Sequence, residues 1–548
     1  MALRLEGIFT EIKPASWMTL AAVIPLTVFI FARLGLYRAV VRHMADQAAT
    51  VVLLGSAVSA GVMFVTSQFL ALGVPRSVSG IYFSLLVLTT GGTRLLMKTI
   101  YLASKDVGRM PVAIYGAGEA GRLLVRSLQE SKNYRPTLFI DEDARLHGTT
   151  VAGIPILSLE TAKKKITEDH VKTALIAIGD DDAKSRRQAA LSMTNLGLEA
   201  RMMPKMSDLI SGRVRVSTLR GVKIEELLGR EPVEPNHTLM TQTTGGRSVM
   251  VTGAGGSIGS ELCRQILAQL PRRLVILDVS EYALYTITEE LKAATETLKY
   301  DVELVPVLGS VTREDVVESA IKENAVETVF HAAAYKHVPL VEQNVIEAVR
   351  NNALGSHLVA QASGRLGVQH FALISTDKAV RPTNVMGATK RLAELAVSEA
   401  ARSHPSTKFC SVRFGNVLGS SGSVVPKFER QIQQGGPITL THPDITRYFM
   451  TIPEAAQLVI QASAMAEKGN VFLLDMGEPV RILDLARTMC ALHARHLHTD
   501  KTKEAPEGAI MLEITGLRPG EKLYEELLVT GLETDTTHPR IKCELSVK

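Results

Sequence analysis

Residues 376 to 390 bring together side chains that can move protons and bind anions. Thr376, Asp377 and Lys378 supply a hydroxyl, a carboxyl and an amine in a row. Such groups perform general acid–base catalysis when they are held at a reacting atom. Met386 and Lys390 follow at a spacing that places both on one face of a helix. Because methionine cannot exchange a proton, we predict that the acid–base chemistry belongs to the preceding triplet.

A strand and a turn must position this triplet. The run HFALIST before it is typical of a buried strand. Ligands bind beyond the carboxyl ends of such strands in parallel sheets. Neighbouring side chains on an extended segment point to opposite faces, so Asp377 and Lys378 can reach one substrate only if the chain turns after Thr376. The alternative interpretation of these two charges is an ion pair in a surface loop.

The segment RSVMVTGAGGSIGSELCRQIL predicts a dinucleotide-binding loop between a strand and a helix. Three glycines fit the pattern TGxxGxxG, and a fourth permits a further close approach of the backbone. Backbone amides can then reach a pyrophosphate, and the helix N-terminus adds partial positive charge. The predicted cofactor contacts in this loop are Gly253, Gly255, Gly256, Ser257, Ile258 and Gly259.

A carboxylate at the end of the next strand indicates which dinucleotide binds. The strand RRLVILD ends at Asp278, where a carboxylate accepts hydrogen bonds from ribose hydroxyls and repels a 2′-phosphate. The following residues, VSEYALY, contain no Arg or Lys that could hold such a phosphate. We therefore predict NAD as the cofactor. Ala332 and Ala333, in the strand segment TVFHAAAY, are predicted to let the chain pass beneath the nicotinamide ribose.

The chain is predicted to hold two Rossmann-like units in tandem, because strands alternate with helices as in doubly wound parallel α/β sheets. The first unit, residues 106–205, contains the sequence GAGEAG between a strand and a helix. Two alternatives stay open for this unit. It binds a nucleotide derivative, or it binds no ligand and has a structural or regulatory role. A connector is predicted over 206–245, and a catalytic domain with a C-terminal substrate lobe over 246–548.

Composition limits the other function classes. The chain has 548 residues, enough for two domains and an appendage, and its net charge is only +5. No basic stripe with interleaved aromatic residues is present, so we predict no nucleic-acid partner. The four cysteines are far apart in sequence, which predicts reduced thiols and no metal site.

Three uncharged stretches predict a membrane region over residues 1–105. No charged side chain lies between Lys13 and Arg33, between Asp46 and Arg76, or between Arg76 and Arg94. Each stretch can hold most or all of the roughly 20 residues that cross a bilayer as a helix. The third is the weakest because it is shorter and contains two adjacent glycines, and a buried or re-entrant helix is the alternative there.

Basic residues predict how this region is oriented. They follow the first and third stretches, and the positive-inside rule places both groups in the cytoplasm. The chain after about residue 100 is then cytoplasmic. The residues concerned are Arg33, Arg38, Arg42, Arg94, Lys98 and Lys105.

Two family resemblances follow from these motifs. Residues 371–390, FALISTDKAVRPTNVMGATK, resemble the catalytic segment of short-chain dehydrogenases/reductases, with Met386 at the position of the usual tyrosine. Nearly the whole chain resembles the CapD-like membrane-bound nucleotide-sugar 4,6-dehydratases of bacteria, whose members generally show four spans where three are legible here. The motifs are TGAGGSIGSE, FHAAAYKHVPLVE, ISTDKAVRPTNVMGATKR, VRFGNVLGSSGSVVPKF, ITRYFMTIPEA and TGLRPGEKLYEEL.

The resemblance implies a fold and a reaction. It implies an extended short-chain dehydrogenase/reductase fold and NAD-dependent 4,6-dehydration of a UDP-N-acetylhexosamine, typically UDP-N-acetylglucosamine. The setting is polysaccharide or glycan biosynthesis at the bacterial cytoplasmic membrane. Lys378 is the candidate base for carbon 5 and Asp377 the candidate acid for the carbon 6 hydroxyl. Thr376 should bind the carbon 4 hydroxyl, Lys390 should hold the nicotinamide ribose, and Met386 should only pack.

Both acid–base roles depend on protonation. Lys378 must be neutral and Asp377 protonated, and desolvation moves the pKa of each group in that direction. Positive charge from Lys390 and the nicotinamide should lower the pKa of Lys378 further. The mutual ion pair opposes these effects, so the two groups titrate as a coupled pair.

Substrate contacts are predicted on other segments. Asn416 resembles the residue that binds the diphosphate region, and Arg447 and Arg518 suit bidentate phosphate contact. Glu521 is a further candidate, with a solvated charge pair to Lys522 as its alternative. The sugar pocket is predicted to be lined by Tyr335, Lys336 and His337, although a lone histidine is more commonly structural.

Two other functions compete with dehydration. A nucleotide-sugar 4-epimerase or reductase would share the fold and cofactor, but it would need a tyrosine at position 386. A catalytically silent membrane scaffold of capsule or exopolysaccharide assembly is the second alternative. By analogy with dehydrogenases that pair through helices, we expect a homo-oligomer.

Overall fold

The computed structural model describes residues 14–34, 47–69, 76–97, 109–130, 133–179, 183–203, 220–221, 224, 234–493, 495–499, 505–506, 508–526 and 533–544. The chain divides into two compact units. One contains the N-terminal apolar helices, and the other contains both large sheets.

Each of the three uncharged stretches contains a helix among the described residues. The helices are Pro14–Arg33, Gln47–Phe69 and Arg76–Leu86, the last followed by the π-helical turn Val87–Gly91. Within the described residues, two spans are long and apolar enough to cross a membrane, and they are Thr50–Ser67 and Ser77–Met97.

The third stretch, expected to be the weakest, reaches 21 residues because the helix continues through its π turn. The described apolar part of the first helix, Ala21–Arg33, is shorter. Of the residues that predict orientation, Arg38, Arg42, Lys98 and Lys105 lie outside the described residues. The orientation therefore stays a prediction.

The first sheet has the expected Rossmann-like arrangement. Its central strands are parallel and buried, with one antiparallel strand at each edge. The strands lie in the order Thr150–Val151, Ile154–Leu157, Tyr134–Ile140, Met110–Tyr115, Thr173–Ile176, Glu199–Met202 and Arg220–Gly221. The helices of this unit are Glu119–Glu130, Leu159–Glu168 and Ala183–Asn195.

A carboxylate closes the glycine-rich turn of the first sheet. Asp141 follows strand Tyr134–Ile140, and its Oδ2 accepts a hydrogen bond from the backbone N–H of Ala117 at 2.7 Å. Gly116 has φ +98°, a conformation that favours glycine, and a Cβ there would lie 2.7 Å from the carbonyl oxygen of Ala177. The turn therefore has the geometry that the GAGEAG pattern predicts.

The connector is partly helical where the sequence looked like a polar loop. The helix His237–Gln242 begins because the Asn236 side chain accepts hydrogen bonds from the N–H groups of Thr238 and Leu239. Met240 is buried in the core of the second sheet, and this packing outweighs the polar composition of the segment.

The second sheet is a doubly wound parallel sheet with two antiparallel strands at one edge. Its central parallel strands are nearly continuous apolar runs, as burial on both faces requires, and the edge strand Glu303–Leu308 is partly exposed. The strands lie in the order Glu303–Leu308, Arg273–Asp278, Ser248–Thr252, Thr328–His331, His370–Ile374, Lys408–Arg413, Asn470–Leu474, Ile541–Glu544 and Glu533–Asp535.

Helices cover both faces of this sheet and form the cores that surround it. They are Ser257–Leu267, Glu281–Leu298, Glu314–Glu323, Val338–Gln343, Val345–Ala348, Gly355–Arg365, Val385–Ser403 and Ile452–Ala464, with the π-helical turn Val349–Leu354. Several apolar side chains on these helices are exposed, among them Leu340, Ile346, Leu392 and Leu395. The expected homo-oligomer stays a prediction.

A smaller lobe completes the chain. Its core is formed by helices Val424–Gln433 and Ile482–Leu492 with the strands Ile438–Leu440 and Ile510–Ile514. Short strands complete it: Asn416–Val417, Thr446–Arg447, Phe449–Met450, Val480–Arg481 and Leu497–His498. Leu492 also packs against the core of the first sheet, so the lobe contacts that sheet.

A buried ion network ties three parts of the second sheet together. Arg413 is fully buried, and its Nε and Nη2 donate to the two carboxylate oxygens of Glu394 at 2.7 and 2.8 Å. Its Nη1 donates to Glu544 at 2.8 Å, and Ser375 donates to Glu394 at 2.6 Å. Bidentate pairing of this kind fixes geometry as well as charge. The network holds the helix Val385–Ser403 against the strand that precedes the triplet.

Candidate active site

A cavity of about 890 Å³ opens at the carboxyl ends of the central strands of the second sheet. The strand order reverses there, between Ser248–Thr252 and Thr328–His331, which is where open α/β sheets bind ligands. The predicted site residues that line it are Gly253, Gly256, Ser257, Ile258, Gly259, Ala332, Tyr335, Lys336, His337, Thr376, Lys378, Met386, Lys390, Asn416, Arg447, Arg518 and Glu521.

Four predicted site residues do not line this cavity: Gly255, Asp278, Ala333 and Asp377. The first two bond to each other, because Asp278 Oδ2 accepts a hydrogen bond from the Gly255 N–H at 2.8 Å. The Asp278 Oδ1 accepts another from the Ser280 N–H at 2.8 Å. In this structure the carboxylate therefore shapes the loop rather than facing the cavity.

Close packing explains why the glycine loop needs glycine. Gly253 has φ +65°, and a Cβ there would lie 2.7 Å from the backbone of Ala333. A Cβ on Gly259 would lie 2.0 Å from the carbonyl oxygen of Gly253. The helix Ser257–Leu267 begins against this loop and directs its N-terminal amides at the cavity wall. The loop is thus a cradle of the shape that a dinucleotide pyrophosphate requires.

The chain turns immediately after Thr376. This turn is the condition stated above for Asp377 and Lys378 to reach one substrate. Asp377–Ala379 is a 3₁₀ turn, and Thr376 caps it by accepting a hydrogen bond from the Lys378 N–H. Asp377 Oδ1 accepts hydrogen bonds from Thr376 Oγ1 at 2.8 Å and from Lys378 Nζ at 2.9 Å. The Asp377 side chain is fully buried and does not line the cavity, whereas its two hydrogen-bond donors, Thr376 and Lys378, do.

The protonation of Lys378 differs from the expectation. Burial lowers the pKa of its amine, but the carboxylates of Asp377 and Glu525 outweigh burial and hold it above the usual value. The cation that opposes them is Arg447, whereas we expected Lys390 in this role. Burial is the largest single effect on the pKa of Lys378, and it is outweighed only by Asp377 and Glu525 together.

The 385–403 helix presents Met386 and Lys390 to the cavity, as their spacing predicts. Met386 packs with Val341 and Ala348 and is almost fully buried. The amine of Lys390 donates to the carbonyl oxygen of Ile374 at 2.7 Å, and burial lowers its pKa to about 8. Lys390 therefore lines the cavity, and its hydrogen bond to Ile374 fixes the direction of its amine.

A buried histidine joins the two strands at the point where the sheet order reverses. His331 bonds through Nδ1 to Thr252 Oγ1 at 2.7 Å and through Nε2 to Ser356 Oγ at 2.9 Å. Burial and Lys390 lower the pKa of its imidazole to about 3. His331 is therefore a neutral structural link.

The loop 335–337 is held by a residue that sequence reasoning missed. Asn352 is fully buried and accepts a hydrogen bond from the Tyr335 N–H at 2.7 Å. Its Nδ2 donates to the carbonyl oxygen of Tyr335 at 2.9 Å and to Thr389 Oγ1 at 3.1 Å. Asn352 lies in the π-helical turn Val349–Leu354, a feature that commonly marks functional sites.

A segment from the lobe, residues 516–526, covers the turn that carries the triplet. The carbonyl oxygen of Gly520 accepts hydrogen bonds from Thr383 Oγ1 at 2.9 Å and Asn384 Nδ2 at 3.1 Å. Lys522 Nζ donates to the carbonyl oxygen of Val380 at 3.0 Å, so it is not in a solvated pair with Glu521.

This segment also brings carboxylates to the predicted phosphate contacts. Arg447 Nη2 donates to Glu521 Oε1 at 3.3 Å, and its Nη1 donates to the carbonyl oxygen of Thr446 at 2.7 Å. Asn416 Oδ1 lies 3.3 Å from Lys378 Nζ, beside the candidate base. Sequence reasoning missed Glu525, although it lies in the motif TGLRPGEKLYEEL.

Comparisons with known proteins cover both sheets. Residues 249–544 match the family model described as polysaccharide biosynthesis protein, and residues 109–197 match one described as CoA binding domain. The chain is 41% identical over 448 residues to the capsular polysaccharide biosynthesis protein CapD of Staphylococcus aureus, covering 81% of this chain and 73% of that protein.

Two further relatives match the chain over different lengths and at different identities. The protein named probable polysaccharide biosynthesis protein EpsC of Bacillus subtilis is 41% identical over 451 residues, covering 81% of this chain and 72% of that protein. A UDP-glucose 4-epimerase of Rickettsia canadensis is 33% identical over 284 residues, covering 52% of this chain and 77% of that protein. The chain therefore belongs to the CapD/EpsC-like family of polysaccharide biosynthesis proteins.

Proposed function

We propose that the protein dehydrates a UDP-N-acetylhexosamine across carbons 5 and 6 in polysaccharide biosynthesis. The observation that supports this most is the group at the cavity floor, where Thr376, Asp377 and Lys378 are joined by hydrogen bonds. The side chain at the usual tyrosine position is Met386, which cannot carry a proton. The carboxyl of Asp377 and the amine of Lys378 can act as the acid and the base that an elimination of water needs. A simple alcohol oxidation in this fold would instead use a tyrosine at position 386.

The cofactor that fits the glycine cradle is NAD. Gly253 and the helix that begins at Ser257 would hold its pyrophosphate, and Lys390 would hold its nicotinamide ribose. No Arg or Lys occurs in residues 279–285, which favours NAD over NADP. When bound, NAD supplies the acceptor and donor of the hydride that leaves carbon 4 and returns to carbon 6.

The protein side chains perform the proton transfers. Lys378 takes the proton from carbon 5 once a carbonyl at carbon 4 has made it acidic. The carbon 4 hydroxyl gives its proton through Thr376 Oγ1 to the Asp377 carboxylate when the carbonyl forms. Asp377 later supplies that proton to the carbon 6 hydroxyl, which leaves as water, and Lys378 returns its proton to carbon 5. Because Asp377 does not line the cavity, its proton passes through Thr376 Oγ1, which gives its own proton to the leaving oxygen.

The diphosphate of the substrate would contact two arginines on the cavity wall. Arg447 and Arg518 both line the cavity, and guanidinium groups suit phosphate oxygens. The 335–337 loop lines the same cavity near Met386 and would contact the sugar.

Incubation of the purified full chain in detergent with NAD and UDP-N-acetylglucosamine tests this function. We expect the nucleotide sugar to lose the mass of one water while the amount of NAD stays constant. An unchanged mass together with an altered sugar configuration would instead establish epimerisation.

Epimerisation is the second candidate because of the 33% identity to a UDP-glucose 4-epimerase. It is disfavoured by Met386, since an epimerase of this fold needs a proton carrier at that position. A scaffold without activity would bind neither NAD nor UDP-sugar, so binding of either compound in the same samples would exclude that reading.

We propose that residues 1–105 anchor the protein in the bacterial cytoplasmic membrane, with both sheets in the cytoplasm. Two spans of suitable length and hydropathy support this proposal. We expect the full chain to stay with the membrane fraction after a wash in alkaline carbonate. Release of the chain into the supernatant by that wash would contradict the proposal.

A further inference from the structure

The lobe helix Val424–Gln433 presents one face to the cavity, and that face carries a charge. Val424, Lys427 and Phe428 line the cavity, and their spacing of three and four residues places them on one side of the helix. Lys427 is half-buried, and its side chain has no ion pair or hydrogen bond to any residue that the structure describes. The cavity wall therefore holds a cation that the proposed proton and hydride transfers do not use.

A second cation of the cavity wall acts on Lys427. Arg518 also lines the cavity, and its exposed guanidinium has no ion pair or hydrogen bond within the described part of the chain. Burial lowers the pKa of the Lys427 amine, and the positive charge of Arg518 lowers it further, while Glu521 opposes both effects. The two cations therefore repel each other, and an anion that contacts both would remove this repulsion.

Glu521, the carboxylate that acts on Lys427, is already bound by other groups. Its Oε1 accepts hydrogen bonds from Arg447 Nη2 and from Thr441 Oγ1, both at 3.3 Å. Its Oε2 accepts a hydrogen bond from the backbone N–H of Arg518 at 3.2 Å. Because Glu521 is held in this way and forms no ion pair with Lys427, the lysine amine is left for a ligand.

Arg447, the other predicted phosphate contact, is engaged by the protein itself. Its Nη1 donates to the carbonyl oxygens of Thr446 at 2.7 Å and Leu523 at 3.2 Å. Its guanidinium also lies 3.3 Å from Glu521 and 3.7 Å from Glu525. These carboxylates offset the charge of Arg447, so this arginine leaves much of the charge of a diphosphate without a partner.

We propose that Lys427 is a further substrate-binding residue, which pairs with the diphosphate of the nucleotide sugar beside Arg518. The inference rests on the proposed function, because it adds a ligand to the diphosphate site of the same cavity. A diphosphate that joins a ribose to a sugar carries one negative charge on each phosphoryl group. A lysine and an arginine match that charge, since the ammonium donates as a point charge and the guanidinium as a planar fork.

Calorimetric titration of the full chain in detergent with UDP tests this contact. We expect Lys427→Met to bind UDP about tenfold more weakly than the unaltered protein, because a charge-assisted hydrogen bond is lost. Lys427→Arg should recover most of the affinity, since arginine keeps the charge. The NAD content of both variants should equal that of the unaltered protein, because the glycine cradle lies on a different strand and helix.

The matched control is Arg430→Met. Arg430 lies on the same helix, is exposed and does not line the cavity, so this substitution removes an equal charge from another face. We expect the control to bind UDP as the unaltered protein does. An equal loss of affinity in Lys427→Met and Arg430→Met would assign the effect to the net charge of the lobe and would overturn the contact.

Turnover of UDP-N-acetylglucosamine supplies a second readout. A contact that is made equally in the ground state and the transition state changes KM and leaves kcat unchanged. Lys427→Met should therefore raise KM about tenfold and keep kcat within about twofold. A loss confined to kcat would mean that Lys427 acts on the reacting atoms, and it would overturn the diphosphate contact.

The remaining outcomes separate this contact from the proposed function. Unchanged UDP affinity in Lys427→Met would overturn the contact, and so would a loss of bound NAD with UDP affinity kept, which would place Lys427 at the cofactor. Weaker UDP binding in Lys427→Met, with no dehydration of any nucleotide sugar by the unaltered protein, would overturn the proposed function and support the contact. Failure of the unaltered protein to bind UDP would overturn both.

Discussion

Lys378→Ala should lower dehydratase turnover by about 10²- to 10⁴-fold, the range that a general base supplies. Alanine removes the amine that we propose as the acceptor of the carbon 5 proton, and no other described amine hydrogen-bonds to Asp377. The NAD content of the purified protein should stay unchanged, because the glycine cradle lies on a different strand and helix. Turnover is measured by mass spectrometry of the nucleotide sugar.

The matched control is Lys408→Ala. Lys408 is exposed and begins the strand Lys408–Arg413, at the amino end of the sheet and away from the cavity. We expect its turnover to equal that of the unaltered protein. If Lys378→Ala keeps more than a tenth of its turnover, Lys378 is not the base.

Arg413→Met should destabilise the protein by about 3–5 kcal/mol, because it breaks a fully buried ion pair and leaves carboxylates behind. Methionine fills a similar length without charge. Glu394 keeps the bonds from Ser375 and Arg391 but loses both bonds from the guanidinium. Urea denaturation followed by circular dichroism measures the change in the free energy of unfolding.

Arg365→Met is the control for this loss of unfolding free energy. Arg365 also joins two carboxylates, Glu314 at 2.6 Å and Glu318 at 2.5 Å, but its side chain is 43% exposed. Exposed pairs contribute about 0–1 kcal/mol, so this variant should unfold close to the unaltered protein. Equal losses in the two variants would mean that burial of the Arg413 network adds nothing.

Local patterns in the sequence predicted the strands and the loops that carry the site. Alternation of apolar strands with helices identified both sheets, because burial on two faces leaves a continuous apolar run. The glycine spacing located the cradle, since only glycine fits beside Ala333 at position 253. The i, i+4 spacing placed Met386 and Lys390 on one helix face at the cavity.

Features that depend on distant contacts could not be predicted in this way. The raised pKa of Lys378 depends on Glu525, which reaches the turn from the lobe at the other end of the domain. Asn352 holds the 335–337 loop only because a π-helical turn directs it there. Asp377 is buried because the chain forms a 3₁₀ turn at this point, and the residue types alone do not predict that turn.

The Arg413 network also sets an order of events during synthesis on the ribosome. Arg413 and Glu544 lie 131 positions apart, so at 5–20 residues per second the partner emerges roughly 7 to 26 s later. Once strand Asn470–Leu474 has been made, its outer edge stays open for the 67 positions from Leu474 to Ile541, roughly 3 to 13 s at the same rate, because Ile541–Glu544 is the strand that pairs with it. A nascent chain in that interval carries the complete triplet 376–378 in a sheet with an unpaired edge, where other chains can add a strand.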